Sequence, residues 1–321
     1  EAQLAVAENT ELAAVTSPRQ AGSADFNETK AEEHKPLTFE VTYKADLLAG
    51  LSGSWRDKGA YLGNLDLKFT VAGEQAFKLP GSTVFIHVLN NHGGKPNERV
   101  GSTQGVDNIE VDVNTTKILQ AWYQQQWLDD RWSLLVGLYD LNSEFYVTDS
   151  SATFIHPSFG IGAELAQTGL NGPSIFPTTS LGLRLRWQAT PAFYAQAVVL
   201  DGVPGDPRDP NGTQVRFDKG DGTLSVLEVG HARNIEGALS KFALGAWRYS
   251  SRFDDLRDTG AAGEPLQRVN SGFYVLAQRS LYRPAGEPER GLNGFVRLGS
   301  AQAHANQLDF SAAFGAAYTG L

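Results

Sequence analysis

The chain has 321 residues and a formal charge of −9, from 27 Lys+Arg against 36 Asp+Glu, with 34 Gly and neither Cys nor Met. Without Cys there is no disulfide framework, thiolate metal site or catalytic cysteine. An acidic chain without a basic block also lacks the clustered cations that neutralise nucleic-acid phosphates. No run approaches the roughly 18 consecutive apolar residues of a membrane helix, yet a hydrophobic content of 41% excludes wholesale disorder. What remains is a soluble β-rich protein or a membrane β-barrel.

Residues 1–37 form a polar, Ala/Glu-rich segment without sustained periodicity, in which a short helix over Asn9–Val15 is expected. Glu1 in place of an initiator Met reads as a mature N-terminus left by removal of a signal peptide. From residue 38 the text changes. Phe39, Val41, Tyr43, Ala45 and Leu47 alternate with Glu40, Thr42, Lys44 and Asp46, the period of two that defines a strand with one apolar and one charged face. The same alternation recurs in Leu65–Val71, in Leu181–Gln188 and in Leu308–Tyr318.

This reading predicts twelve strands, at 38–51, 63–77, 82–92, 117–128, 131–141, 181–190, 193–201, 223–234, 241–252, 271–282, 292–302 and 306–320. Most exceed the usual globular length of about 5–6 residues and suit a tilted bilayer crossing. Tight turns are expected at Asp129-Asp130 and Thr190-Pro191, and long Gly/Pro/Asn/Asp-rich loops at 92–116, 142–180, 201–222 and 253–269. Short turns at one end and long loops at the other are the pattern of outer-membrane barrels. A soluble β-sandwich also alternates. Strand length decides against it, together with aromatics near the strand ends: Phe39, Tyr43, Phe69, Trp127, Trp132, Trp187, Phe193, Tyr249, Tyr282 and Tyr318.

Several phrases then become specific in combination. They are Asp107-Asn108-Ile109-Glu110, Trp122-Tyr123-Gln124-Gln125, Val136 to Phe145, Ser174-Ile175-Phe176-Pro177 with Leu181 to Leu185, Asp201 to Pro207 leading to Asn211-Gly212-Thr213, and the final Tyr318-Thr319-Gly320-Leu321. In this order, from about Trp55 onward, the chain resembles the carbohydrate-selective porins of Gram-negative outer membranes, the OprB family. The resemblance implies an all-β, antiparallel transmembrane β-barrel of sixteen strands, about twelve of them covered by residues 38–321. It also implies inward-folded loops, an outer-membrane location and sugars as permeating solutes. Two departures stand out: Gln124 replaces the Glu expected after the Trp-aromatic pair, and Leu321 is not a terminal aromatic. The second leads us to expect a C-terminally incomplete chain, with a closed twelve-stranded barrel as the alternative.

Selectivity in a barrel comes from inward residues and from loops folded into the pore. In the fourth segment Gln120, Trp122, Gln124 and Gln126 share the parity expected to face the lumen. An indole stacks on the apolar face of a pyranose, and amides and charges bond its hydroxyls. The candidate lumenal residues are Arg99, Glu110, Trp122, Gln124, Asp140, Asn142, Glu144, Arg184 and Arg186. The Asp201–Thr213 loop reads as a solvated turn, since its oxygen-rich spacing does not match an EF-hand. No metal and no cofactor is expected, because the six His are scattered and Gly160-Ile161-Gly162 lacks the third glycine of a dinucleotide fingerprint. Neither a G-x-S-x-G nor a Walker loop occurs, so no enzyme is expected. The function expected is passive, sugar-selective diffusion through a monomer or homotrimer. The alternatives are a general porin and a soluble sugar-binding sandwich.

Overall fold

The computed structural model describes residues 35–51, 58–235, 237–287 and 290–320; the helix expected at Asn9–Val15 lies outside them. Twelve strands follow in chain order: β1 Leu37–Ala49, β2 Gly59–Ala72, β3 Ser82–Gly93, β4 Thr115–Trp127, β5 Trp132–Tyr139, β6 Ser180–Gln188, β7 Phe193–Asp201, β8 Thr223–Ile235, β9 Ala238–Thr259, β10 Pro265–Tyr282, β11 Gly291–Ala301 and β12 Phe310–Thr319. They form one antiparallel meander in which every strand pairs with its sequence neighbours, and β1 and β12 are its two edges. Among the described residues no ladder joins those edges. This is the all-β antiparallel architecture expected, with twelve strands among the described residues.

Which face is covered defines the kind of sheet. In β8 the buried positions are Leu224, Val226, Glu228 and Gly230, while Leu227 and Val229 are 53% and 45% exposed. In β6 Arg184 is 2% exposed, whereas Leu183, Leu185 and Trp187 stand out. Arg297 in β11 is likewise buried, between exposed Val296 and Leu298. Apolar side chains outward and ionic side chains inward invert the rule for a water-soluble sheet and match a wall that faces lipid. Aromatics collect where strands meet the short connections: Trp132 stacks on Trp187 at 5.8 Å and Phe39 lies 4.7 Å from Phe69. Trp127, Phe193 and Tyr282 are exposed at the same end.

The connections are unequal, as anticipated. At one end β4 and β5 are joined by 128–131, where Leu128, Asp129 and Asp130 all take left-handed φ between 54 and 59°. At the other end lie 94–114, 140–179 and 202–222. The second of these packs on the inner face of the sheet. Within it Glu144 reaches Arg184 on β6, and Tyr146 reaches Arg297 on β11. In a flat sheet these strands would lie about 24 Å apart, five spacings of about 4.8 Å. Two residues of chain span only about 7 Å. The sheet therefore curls around the loop.

Four expectations are corrected. The strand expected over 63–77 ends at Ala72, because Gly73–Phe77 forms one helical turn, α1, closed by Lys78 in the left-handed region at φ 59°. The long loop expected at 253–269 is instead ladder. β9 runs for 22 residues and β10 for 18, held together beyond their neighbours by Arg268–Asp255 at 2.5 Å and Gln267–Asp254 at 2.6 Å. Because β9 continues to Thr259, Tyr249 lies within the strand and points inward, 1% exposed, and is not part of the aromatic rim. The Asp201–Thr213 loop is solvated only in part: 207–211 are exposed, residues 202–206 are buried and the returning arm bonds to β4. Its Gly212 N–H donates to Thr115 Oγ1 at 3.0 Å, the Pro210 carbonyl accepts from Lys117 Nζ at 3.4 Å, and Val203 and Asp206 are buried.

Candidate constriction site

The inward loop starts at the end of β5. Asp140 turns the chain by accepting the Asn142 N–H on Oδ1 at 2.9 Å, and Asn142 Nδ2 donates to the Phe145 and Gly160 carbonyls. Both candidates thus shape the loop, and burial pushes the Asp140 carboxyl up to about 7. The turn brings Glu144 to Arg184. Arg184 Nε and Nη2 donate to Glu144 Oε2 and Oε1 at 2.7 and 3.0 Å, a bidentate pair. Arg184 Nη2 also donates to Gln124 Oε1 at 2.7 Å, and Nη1 to Ser133 Oγ at 2.6 Å. Tyr139 adds its hydroxyl to Glu144 at 2.5 Å. Gln124, Glu144 and Arg184, from β4, the loop and β6, therefore form one cluster.

The ladder explains the convergence. Gln124 pairs with Leu135, and Leu135 with Arg184, so the two inward side chains lie on the same row of the wall. Gly137 faces Trp122 on the next inward row, toward the long-loop end. The Trp122 ring is inward too, stacked on Phe85 of β3 at 4.9 Å. Arg186 stands on the next inward row toward the short-turn end. It donates to Gln196 Oε1 at 2.8 Å and lies over the Tyr194 ring at 4.5 Å.

Two candidates lie elsewhere. Arg99 is exposed on α2 (Asn97–Val100) in the 94–114 loop, lining a groove with Tyr61, Lys95 and Glu98. Glu110 caps that helix, its Oε1 accepting the Asn97 N–H at 2.8 Å. Loop 94–114 instead buries Asp107, 2% exposed, beside Asp46 of β1. Desolvation and then the Asp46 and Glu110 carboxylates push the Asp107 carboxyl up to about 6. A raised carboxyl pKa favours the protonated folded state. The docking of this loop is therefore firmest at acid pH and weakens as pH rises from the ordinary carboxylate range through about 6. Hydrogen exchange at 106–110, corrected for intrinsic rates, should be faster at about pH 7.5 than at about pH 5. Asp107→Asn should erase the difference, and equal protection in the wild type would refute it.

Beyond the candidates, the loop is anchored by groups the sequence reading did not single out. Glu228 of β8, fully buried, accepts from Tyr194 Oη at 2.8 Å, Tyr274 Oη at 2.6 Å, Gln196 Nε2 at 3.2 Å and the Tyr146 N–H at 3.0 Å. Both tyrosines lie flat over the neighbouring strand because Gly230 and Gly245 stand directly opposite them; a Cβ at either would fall inside the ring. Lys241 Nζ donates to the Val147 carbonyl at 2.7 Å and Gln278 Nε2 to Asp149 at 2.5 Å. A lone Glu at 228 among apolar residues on the inward parity of its strand was the available signal.

Among the described residues, Asp255, Asp258 and His304 are the group whose donor atoms converge as metal ligands do, at the far end of the β9–β10 hairpin. Arg268 already pairs with both carboxylates, at 2.5 and 3.2 Å, and offsets part of their charge.

A curled antiparallel sheet with an apolar exterior, an ionic interior and a loop tethered across that interior defines an outer-membrane porin. The profile of the carbohydrate-selective porin, OprB family, matches residues 56–321, and the chain belongs to that family. It is 22% identical over 305 residues to Porin B of Pseudomonas aeruginosa, covering 89% of this chain and 66% of that protein. The chain thus spans slightly less than two thirds of this curated relative. Two solved structures of Pseudomonas putida OprB share the fold, each aligned over 89% of this chain. The high-pH structure has a TM-score of 0.76 at 17% identity and is covered over 71% of its chain. The low-pH structure has a TM-score of 0.53 at 15% identity and is covered over 72%. The family is one of channels rather than enzymes, and of Gram-negative outer membranes.

Proposed function

We propose that the protein lets monosaccharides such as glucose, or small oligosaccharides, diffuse passively across the outer membrane through a constriction at the Arg184–Glu144–Gln124 cluster. The observation that carries this reading is the juxtaposition of that bidentate pair with the inward Trp122 ring, which stands on the adjacent inward row of the wall. A neutral sugar has no net charge to grip. It is recognised by paired donors and acceptors around a stacking surface, and Arg, Glu and Gln supply the first while Trp supplies the second. Arg186 continues the polar lining, and Asp140 and Asn142 shape the loop that carries Glu144. Sugars are the permeating partners and outer-membrane lipid the surrounding medium, with a monomer or a homotrimer as the working unit.

Liposome swelling tests this, comparing glucose with neutral non-sugar solutes and amino acids of similar size. Saturable, preferential glucose entry is expected, and Trp122→Ala should reduce the preference while the barrel stays folded. Equal rates for all solutes would leave a general porin. Absence of flux from verified inserted protein would favour a binding role.

A further inference from the structure

Tyr146 is held in a way the channel reading does not by itself require. Its φ of 62° places a bulky residue in the left-handed region, an outlier that persists only when its surroundings over-determine it. The surroundings here are two opposite charges. From β8 the Glu228 carboxylate accepts the Tyr146 N–H at 3.0 Å; from β11 the Arg297 Nη2 donates to the Tyr146 carbonyl at 3.1 Å. The Tyr146 ring is packed 4.1 Å from Tyr274 and 4.8 Å from the Arg297 guanidinium, and its hydroxyl donates to Glu164 Oε1 at 2.9 Å.

Arg297 is 2% exposed. Its guanidinium is bonded to the backbone carbonyls of Tyr146, Phe159 and Gly160 and to Ser151 Oγ rather than to a carboxylate. Burying a cation is costly, and an apolar residue of similar volume commonly gives equal or greater stability. What a guanidinium adds is direction: it draws carbonyls from both arms of the inward loop, 146 and 159–160, toward one point on the wall. Glu144 lies two residues before Tyr146, its carbonyl accepting from Gln196 Nε2, which also donates to Glu228.

We propose that Glu228 and Arg297 are positioning residues, a two-sided charge clamp that holds Tyr146 in its left-handed conformation and so fixes Glu144 against Arg184 and sets the bore of the channel. This rests on the channel reading, because a clamp on a loop that does not obstruct a pore would have nothing to set. It does not depend on the preference for sugars.

The test uses the full chain reconstituted in liposomes and planar bilayers, with Arg297→Met, Arg297→Lys and Glu228→Gln. Swelling rates for glucose, sucrose and raffinose report the size cut-off. Single-channel conductance reports the bore, and mobility before and after boiling reports folding. R297M should raise conductance and the raffinose-to-glucose ratio while remaining folded. R297K, which keeps a cation with three donors at the same position, should recover part of the wild-type cut-off. A merely structural Arg297 would lower the folded fraction and leave conductance and cut-off of the folded channels unchanged, which would overturn the clamp. Should R297M fail to insert, E228Q decides by the same readouts, a raised cut-off supporting the clamp and an unchanged one refuting it. Equal wild-type rates for sugars and non-sugars would remove the sugar preference alone. Absent wild-type conductance would remove the channel reading, and the clamp with it.

Discussion

Exchanging Glu144 for Leu is expected to shift the channel toward anions and to destabilise it by about 3–5 kcal/mol, the usual cost of stranding one partner of a buried ion pair. Arg184 is 2% exposed and holds both Glu144 oxygens, so the substitution leaves a buried guanidinium beside a second one, Arg186. Reversal potential in a salt gradient reads the first effect and urea unfolding in detergent or lipid the second. Glu144→Gln keeps one acceptor and should fall between. The pH dependence has a definite sign. Burial alone would raise the Glu144 carboxyl, but the Arg184 and Arg186 guanidiniums, with the Tyr139 hydroxyl, hold it below its ordinary value. Its contribution is therefore complete above the ordinary Glu range near 4.3 and is lost only as pH falls through the depressed value. The part of the ion selectivity that depends on Glu144, read as the difference between wild type and the Leu variant, should hold down to about 4.3 and shrink only below that. An unchanged reversal potential and unfolding midpoint in E144L would take Glu144 out of the constriction.

Leu185→Arg is the second large effect. Leu185 is 41% exposed near the middle of β6, level with Leu134 and Ala197 on the outward face. On a lipid-facing strand an Arg near the bilayer midplane costs about 2–4 kcal/mol. On a solvated sandwich face the same change would be close to neutral, within about 0.5 kcal/mol. Unfolding from lipid vesicles should therefore be clearly less cooperative or shifted to lower denaturant for L185R. Inward Gln188→Arg serves as the contrast, since lumenal changes tune selectivity and leave the lipid face intact. An unshifted L185R midpoint would mean that this face does not meet lipid.

Alternation made the twelve strands legible, together with the parity of each face. That Gln120, Trp122 and Gln124 point inward follows from the two-residue repeat, since a side chain's face is a local property of a strand. The bidentate Arg184–Glu144 pair was half legible. Both residues were candidates, but nothing local says that a loop residue 40 positions away comes back to that row. Arg99 and Glu110 had the right chemistry, but the fold brings neither to the Arg184–Glu144 cluster: Arg99 is exposed on α2, and Glu110 accepts that helix's Asn97 N–H. The β9–β10 extension was missed because Asp254, Asp255 and Arg268 are typical loop residues, and only their pairing across the hairpin makes them strand residues.

What the sequence by itself determined is therefore the repeating unit: antiparallel strands with an apolar exterior and a polar interior, joined by short turns and long loops. A period of two is written along the chain and is enforced by strong steric and hydrogen-bonding rules that act over a few residues. What only the tertiary structure decided is the content of that interior. Glu228, Arg297, Tyr146 and Glu164 meet across as many as 151 positions of sequence, through a loop whose conformation, including the left-handed Tyr146, exists because the wall supplies its partners. Parity tells a residue which side it faces. The identity of its partner depends on how far the sheet curls and how deep the loop descends, and those are properties of the assembled wall.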